Sequence, residues 1–210
     1  MKHLKIKVCG MKFPQNIVEV AALNPDFLGF IFYPLSKRHV NEEAFKVEIT
    51  NSKKIGVFVN QPLDYITEQI EKYKLDGVQL HGDENAAFAK ELKTKTIVLK
   101  ALQIDEDFNF STLEEYNFCV DYFLFDTKTK KEERGGTGKK FDWNLLILYK
   151  LDIPFFLSGG ITLNDVEDIK KINHQKLEGV DINSGFEEYP GFKNSTNIKM
   201  FINQIRDNEK

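Results

Sequence analysis

The chain has 210 residues, 41% of them hydrophobic and 29% charged, with a net charge of −3. That is the composition of an ordinary globular protein with enough apolar material for one substantial core, and it excludes a disordered chain. The slight acidity gives no electrostatic reason to expect nucleic acid or an anionic membrane as partner, although a local positive site for a small anion remains open.

At the N-terminus, "MKHLKIKVCG" carries lysines through its apolar stretch and so lacks the continuous core of a secretory signal. No segment approaches the ~20 apolar residues of a membrane span. A cytoplasmic location is therefore expected. The two cysteines, Cys9 and Cys119, are far apart and form no CxxC pair, so neither a metal framework nor a disulfide scaffold is expected.

Eight short runs rich in Val, Ile and Phe follow one another as "LKIKVC", "FLGFIF", "KIGVFV", "GVQLH", "TIVLKAL", "YFLFD", "PFFLS" and "GVDIN". Between them lie the helical patterns "PQNIVEVAAL", "LDYITEQIEKY", "ENAAFAKELK", "WNLLILYK", "TLNDVEDIKKI" and "NIKMFINQIRD". Pro14 and Pro62 stand near helix starts, where a missing N–H costs nothing, and Thr162 or Asn164 suits the cap of the helix after Gly160. The helical pattern is weakest in 41–49 and 105–116. Strands that are apolar on both faces and alternate with helices imply a parallel sheet covered by helices. Closing it predicts an α/β fold, a single-domain (β/α)8 (TIM) barrel spanning 1–210. An open doubly wound sheet competes, but its G-x-G-x-x-G turn after the first strand is replaced by "CGMKFP".

In such a barrel the chemistry sits at the C-terminal ends of the strands. The strand ends supply Cys9, Tyr33 with Arg38 nearby, Asn60, His81, Asp126, Gly159 with Gly160, and Ser184 with Gly185. Strands one and six would face each other across the mouth, so Cys9 and Asp126 form a candidate base and acid. Each has a plainer reading: Cys9 as a small buried hydrophobe, Asp126 as a turn cap, His81 as a structural histidine. "LSGGITLNDV" places two glycines between a strand and a helix, where backbone N–H groups can approach a phosphate. "DINSGFE" adds a small-residue turn after the last strand, and these are the loops with which barrels hold phosphate. "ERGGTGKKFDW" is not a nucleotide P-loop, since Glu133 and Lys140 stand where Gly and Ser or Thr are required. It lies in a long loop from Asp126 to Lys140 of the kind that serves as a lid. Arg38 in "PLSKRHV" could grip a carboxylate with its fork.

Taken in order, "KVCGM", "LGFIFYPLSKRHV", "GVFVN", "VQLHGDE", "GGTGKKFDW", "LSGGI" and "DINSGFE" resemble the phosphoribosylanthranilate isomerase family of tryptophan biosynthesis over nearly the whole chain. The resemblance implies an Amadori rearrangement of phosphoribosylanthranilate to the 1-deoxyribulose 5-phosphate, with no metal and no organic cofactor. It implies Asp126 as general acid on the ring oxygen and Cys9 as general base on the sugar C2 proton. It further implies that Arg38 holds the anthranilate carboxylate, that Gly159, Gly160, Ser184 and Gly185 cradle the phosphate, and that His81 and Asp181 line the pocket. The loop with Gly135, Gly136, Thr137 and Gly138 would close over the substrate. The only partner implied is this small molecule, with no nucleic acid and no membrane, and the chain is a monomer or a homodimer. Three departures from the commoner pattern stand out: Lys37 in place of a proline, Ser158 in place of an alanine, and the loss of an acidic residue around 13–16. The rivals are the histidine-pathway aminoaldose phosphate isomerase and a non-catalytic barrel that binds a sugar phosphate. The first predicts a second glycine-bearing phosphate turn after strand three, which "GVFVNQPLDY" lacks. The second needs no opposed Cys9 and Asp126.

Overall fold

The structure is a computed structural model that describes residues 3–127 and 140–206. Eight parallel strands close into a barrel in chain order: β1 (Lys5–Val8), β2 (Phe27–Ile31), β3 (Lys53–Phe58), β4 (Gly77–Leu80), β5 (Ile97–Ile104), β6 (Tyr122–Thr127), β7 (Phe155–Leu157) and β8 (Leu177–Ile182). The ring shuts where β1 pairs with β8, Lys7 opposite Asp181 and Val8 opposite Ile182. The doubly wound alternative is thereby excluded.

Alternation along each strand divides the core in two. Outward residues such as Ile6, Val8, Phe30, Phe58, Phe123 and Phe155 are fully buried against the covering layer. Phe27, Ile55, Leu99, Ala101, Leu124 and Phe156 fill the barrel itself. Lys5 lies on the inward parity of β1 and reaches Tyr122 of β6, its Nζ 3.2 Å from the phenol oxygen.

Among the described residues the covering layer contains five α-helices: α1 (Pro14–Ala21), α2 (Leu63–Tyr73), α3 (Ala86–Lys93), α4 (Val166–Lys171) and α5 (Ser195–Arg206). Their boundaries follow local chemistry. Pro14 occupies the first turn of α1. Asn85 caps α3 by accepting from the Phe88 N–H at 3.0 Å. Thr162, rather than Asn164, opens the α4 segment through a capping box with Asp165. Helix α2 ends at Lys74, which turns left-handed at φ 51° and donates its N–H back to Ile70.

Three helical expectations are corrected. Segment 41–49 forms only the 3₁₀ turn Glu42–Phe45, and 105–116 only Phe110–Tyr116. "WNLLILYK" forms the 3₁₀ turn Trp143–Leu148. It stops because the backbone becomes extended at Tyr149, whose ring is buried among Phe110, Phe123, Phe125 and Phe155. A hairpin not anticipated from the sequence, β9 (Glu187–Tyr189) with β10 (Phe192–Lys193), follows β8 and turns at Gly191, φ 89°.

Candidate active site

The strand ladders continue one residue past several strands and so fix the groups at the mouth. Cys9 donates its N–H to Ile182 O at 2.9 Å, His81 to Phe58 O at 2.8 Å, and Ser158 to Phe125 O at 2.8 Å. These three and Asp126, the penultimate residue of β6, occupy the C-terminal end of the barrel. The Cys9 thiol is free and buried, and burial pushes its pKa up, against the pull of the Lys7 ammonium.

Asp126 and His81 approach each other, with Oδ2 and Nε2 3.6 Å apart. The Gln79 amide lies 2.7 Å from His81 Nδ1. With that N–H donated to Nδ1, a neutral His81 carries its proton on Nε2, toward Asp126. Burial pushes the Asp126 carboxyl above the usual range, opposed by His81, and pushes the imidazole down. Both effects favour the uncharged forms, so the carboxyl is biased toward keeping the proton that a general acid needs.

The two small-residue turns sit beside this pair. Gly159 and Gly160 have φ of 91° and 66°, the left-handed region that glycine enters without strain. A Cβ at Gly159 would lie 2.4 Å from Thr127 Oγ1 and 2.7 Å from Asp126 Oδ1. The turn is thus packed directly on the candidate acid. A Cβ at Gly185 would lie 2.2 Å from Ile161 O, so the turn after β8 closes on the turn after β7. Ser184 opens the 3₁₀ turn Ser184–Phe186 within it.

Arg38 is not a free cation. Its Nε lies 2.9 and 3.0 Å from the two carboxylate oxygens of Glu187, and its Nη2 lies 2.6 Å from Oε2. Glu187 also accepts from Lys193 Nζ at 2.8 Å and the Gly191 N–H at 2.9 Å. Burial alone would raise the Glu187 carboxyl, but Arg38, Lys193 and the Gly191 N–H together hold it below the usual range. The remaining N–H groups of the fork can still take a substrate carboxylate. Sequence reading missed Glu187; the Pro190-Gly191 turn signal marks the hairpin that carries it.

Asp181 lies inside the barrel, its Oδ1 2.8 Å from Lys7 Nζ and its Oδ2 3.2 Å from Ser158 Oγ. Ser158, one of the departures noted above, therefore gives Asp181 a hydrogen bond that an alanine cannot. Asn16 has a structural explanation too: its side chain exchanges two hydrogen bonds with the Lys193 backbone, at 2.8 and 2.7 Å, and pins the hairpin to α1. Gly135, Gly136, Thr137 and Gly138 lie outside the described residues. Among the described residues no cluster of His, Cys, Asp and Glu could hold a metal ion, and no helix is long and apolar enough to cross a membrane.

A family model described as N-(5'phosphoribosyl)anthranilate (PRA) isomerase matches residues 6–204. The chain belongs to this family. It is 46% identical to the N-(5'-phosphoribosyl)anthranilate isomerase of Parabacteroides distasonis, over 95% of this chain and 92% of that one. The crystal structure of the phosphoribosylanthranilate isomerase from Thermotoga maritima superposes with a TM-score of 0.82 at 30% identity, covering 97% of this chain and 99% of that one. Another structure of the isomerase, in complex with reduced 1-(o-carboxyphenylamino)-1-deoxyribulose 5-phosphate, gives a TM-score of 0.80 at 27% identity with the same coverage.

Proposed function

We propose that this chain carries out the family's reaction, rearranging N-(5'-phosphoribosyl)anthranilate to 1-(2-carboxyphenylamino)-1-deoxyribulose 5-phosphate by general acid–base catalysis. The observation that carries the reading is the union at one barrel mouth of a buried thiol directly after β1, a carboxyl biased toward its protonated form on β6, and two interlocked glycine turns after β7 and β8.

Asp126 donates its proton to the ribose ring oxygen as the C1–O bond breaks, and the nitrogen lone pair forms the protonated Schiff base. Cys9, as thiolate, then removes the C2 proton, and the C2–H electrons flow toward the nitrogen to give an enolamine. Tautomerisation of the enolamine yields the ketone. No electron leaves the substrate, so the chemistry needs no redox partner. Arg38 binds the anthranilate carboxylate, and Gly159, Gly160, Ser184 and Gly185 present backbone to the phosphate. His81 and Asp181 line the space between.

The test is to mix the purified protein with freshly prepared phosphoribosylanthranilate and follow the loss of its fluorescence, with Cys9→Ala and Asp126→Asn in parallel. Rapid decay in the parent chain alone supports both roles. Decay that survives Cys9→Ala removes the thiol from the mechanism, and binding without decay in the parent chain removes the reaction.

A further inference from the structure

A thiol used as a base near neutrality needs help, because a free cysteine is mostly protonated there and burial makes matters worse. The barrel interior holds a charge where that help is required. Lys7 lies two residues before Cys9 on β1, so the two side chains share the inward face. Lys7 is wholly buried, an unusual place for an ammonium unless it is paired. Asp181, opposite it on β8, accepts one of its three N–H donors at 2.8 Å.

The space around the two groups is kept open by Gly29 on the neighbouring strand. A Cβ placed there would lie 2.8 Å from Cys9 Sγ and 3.1 Å from Lys7 Nζ. Sulfur and ammonium therefore flank a single point, with no side chain from β2 between them. The ammonium is correspondingly held above its usual range: burial alone would lower it, but Asp181 and Cys9 outweigh that effect. Other charges also bear on the thiol. Lys193 of β10 acts in the same sense as Lys7, and Asp181 acts against both. His81 directly after β4 and Asp126 on β6 complete the ring of titratable groups at the mouth, each within the field of the Lys7–Asp181 pair.

We propose that Lys7 is the positioning charge for the catalytic base, its ammonium anchored by Asp181 so that it stabilises the Cys9 thiolate as the C2 proton is removed. This rests on the reading of Cys9 as the base. It assigns opposite duties to the two halves of one ion pair. Lys7 favours the thiolate, whereas Asp181 disfavours it and contributes by keeping Lys7 in place and charged.

The opposition supplies the test. The Cys9 thiol is titrated by its ultraviolet thiolate absorbance, with Cys9→Ala as the blank, in a Cys119→Ser background so that only one cysteine responds. In Lys7→Met the midpoint should rise by about one pH unit or more, the effect of removing an opposite charge at close range. In Asp181→Asn it should not rise. The acidic limb of kcat/KM should move up with the midpoint in Lys7→Met, so that at a fixed pH on that limb activity falls about tenfold when the midpoint rises by one pH unit.

A midpoint unmoved by Lys7→Met overturns the proposal. So does one that rises in both variants, as general damage to the barrel interior would produce. Should Lys7→Met fail to fold around an orphaned carboxylate, Asp181→Asn is compared with the double variant Lys7→Met/Asp181→Asn. These differ only in the ammonium, and the midpoint must be higher in the double variant. If the midpoint moves but the limb of kcat/KM does not follow, the charge assignment stands and Cys9 is discarded as the base.

Discussion

Glu187 grips Arg38 with both carboxylate oxygens, although 149 residues separate them in the chain. The same carboxylate neutralises Lys193, whose side chain is fully buried, while Glu187 itself is nearly so. One acid thus fixes the direction of the arginine and prevents two cations from repelling each other. Glu187→Gln removes the charge and most of the grip. Losing one member of a buried pair costs about 3–5 kcal/mol, because the remaining charge is left without its partner. If Arg38 binds the substrate carboxylate, KM should rise at least tenfold while kcat changes less, since that contact is made in both ground and transition states. Urea denaturation and steady-state kinetics on the same preparation check both parts.

Asp126 illustrates how a residue can oppose stability while serving chemistry. Its carboxyl titrates above the usual carboxylate range in the folded chain because of burial. The folded state therefore holds the proton more tightly than the unfolded state, whose value is about 3.9. The stability so contributed is complete below the unfolded value and is lost as pH rises through the folded one. Asp126→Asn has no proton to lose. Its melting temperature relative to the parent should therefore climb as pH rises across that window, while kcat falls about 10²–10⁴-fold, the usual worth of a general acid. A gap in melting temperature that stays constant with pH would sink the argument.

What could be read from the sequence depended on whether meaning was local. Cys9, Asp126 and Gly159 end apolar runs, and strand ends in a barrel share one mouth, so their grouping follows from topology alone. Lys7 reads in the sequence only as one of the lysines that interrupt the N-terminal apolar stretch, and closure of the barrel with the arrival of Asp181 on β8 shows it to be an interior charge. Glu187 was hidden for a similar reason: its partners come from the β2 loop and from β10, and nothing in "DINSGFEEY" distinguishes it from Glu188 as the clamp. "WNLLILYK" carries helical spacing, yet burying the Tyr149 ring required extended backbone there, and packing prevailed over local preference.

Gly159 is where catalysis and phosphate binding share atoms. With φ at 91°, an alanine is strained by about 1–3 kcal/mol before any contact is considered. Its Cβ would also meet the Thr127 N–H at 2.5 Å, which donates to Asp126 Oδ1 at 2.8 Å. Gly159→Ala must therefore displace the hydrogen bond that orients the acid. The expected result is a fall in kcat of about 10²-fold or more, since small displacements of a catalytic group have that cost. Inhibition by a product analogue should weaken as well. A variant that lost affinity for the analogue and kept kcat would place the turn at the phosphate alone.

The last relationship supports His81 from behind. Lys100 and Glu84 form a buried pair in the layer outside the barrel, their charged atoms 3.1 Å apart. Glu84 also accepts from the Asn60 and Gly82 N–H groups at 2.8 and 3.0 Å, and Lys100 donates to Gly82 O at 2.6 Å. Gly82 directly follows His81, so both charges hold the backbone that presents the imidazole to Asp126. Burial pulls the Lys100 ammonium below its usual value despite Glu84. Lys100→Met should cost about 3–5 kcal/mol by stranding Glu84. The double variant Lys100→Met/Glu84→Gln should recover part of that, because an amide can keep one backbone N–H satisfied and carries no charge. If the pair also positions His81, the double variant will retain a reduced kcat even where its stability has returned. A double-mutant cycle that reads denaturation and kcat side by side separates the two roles: stability regained with full activity makes the pair structural only, whereas stability regained without activity makes it part of the site's geometry.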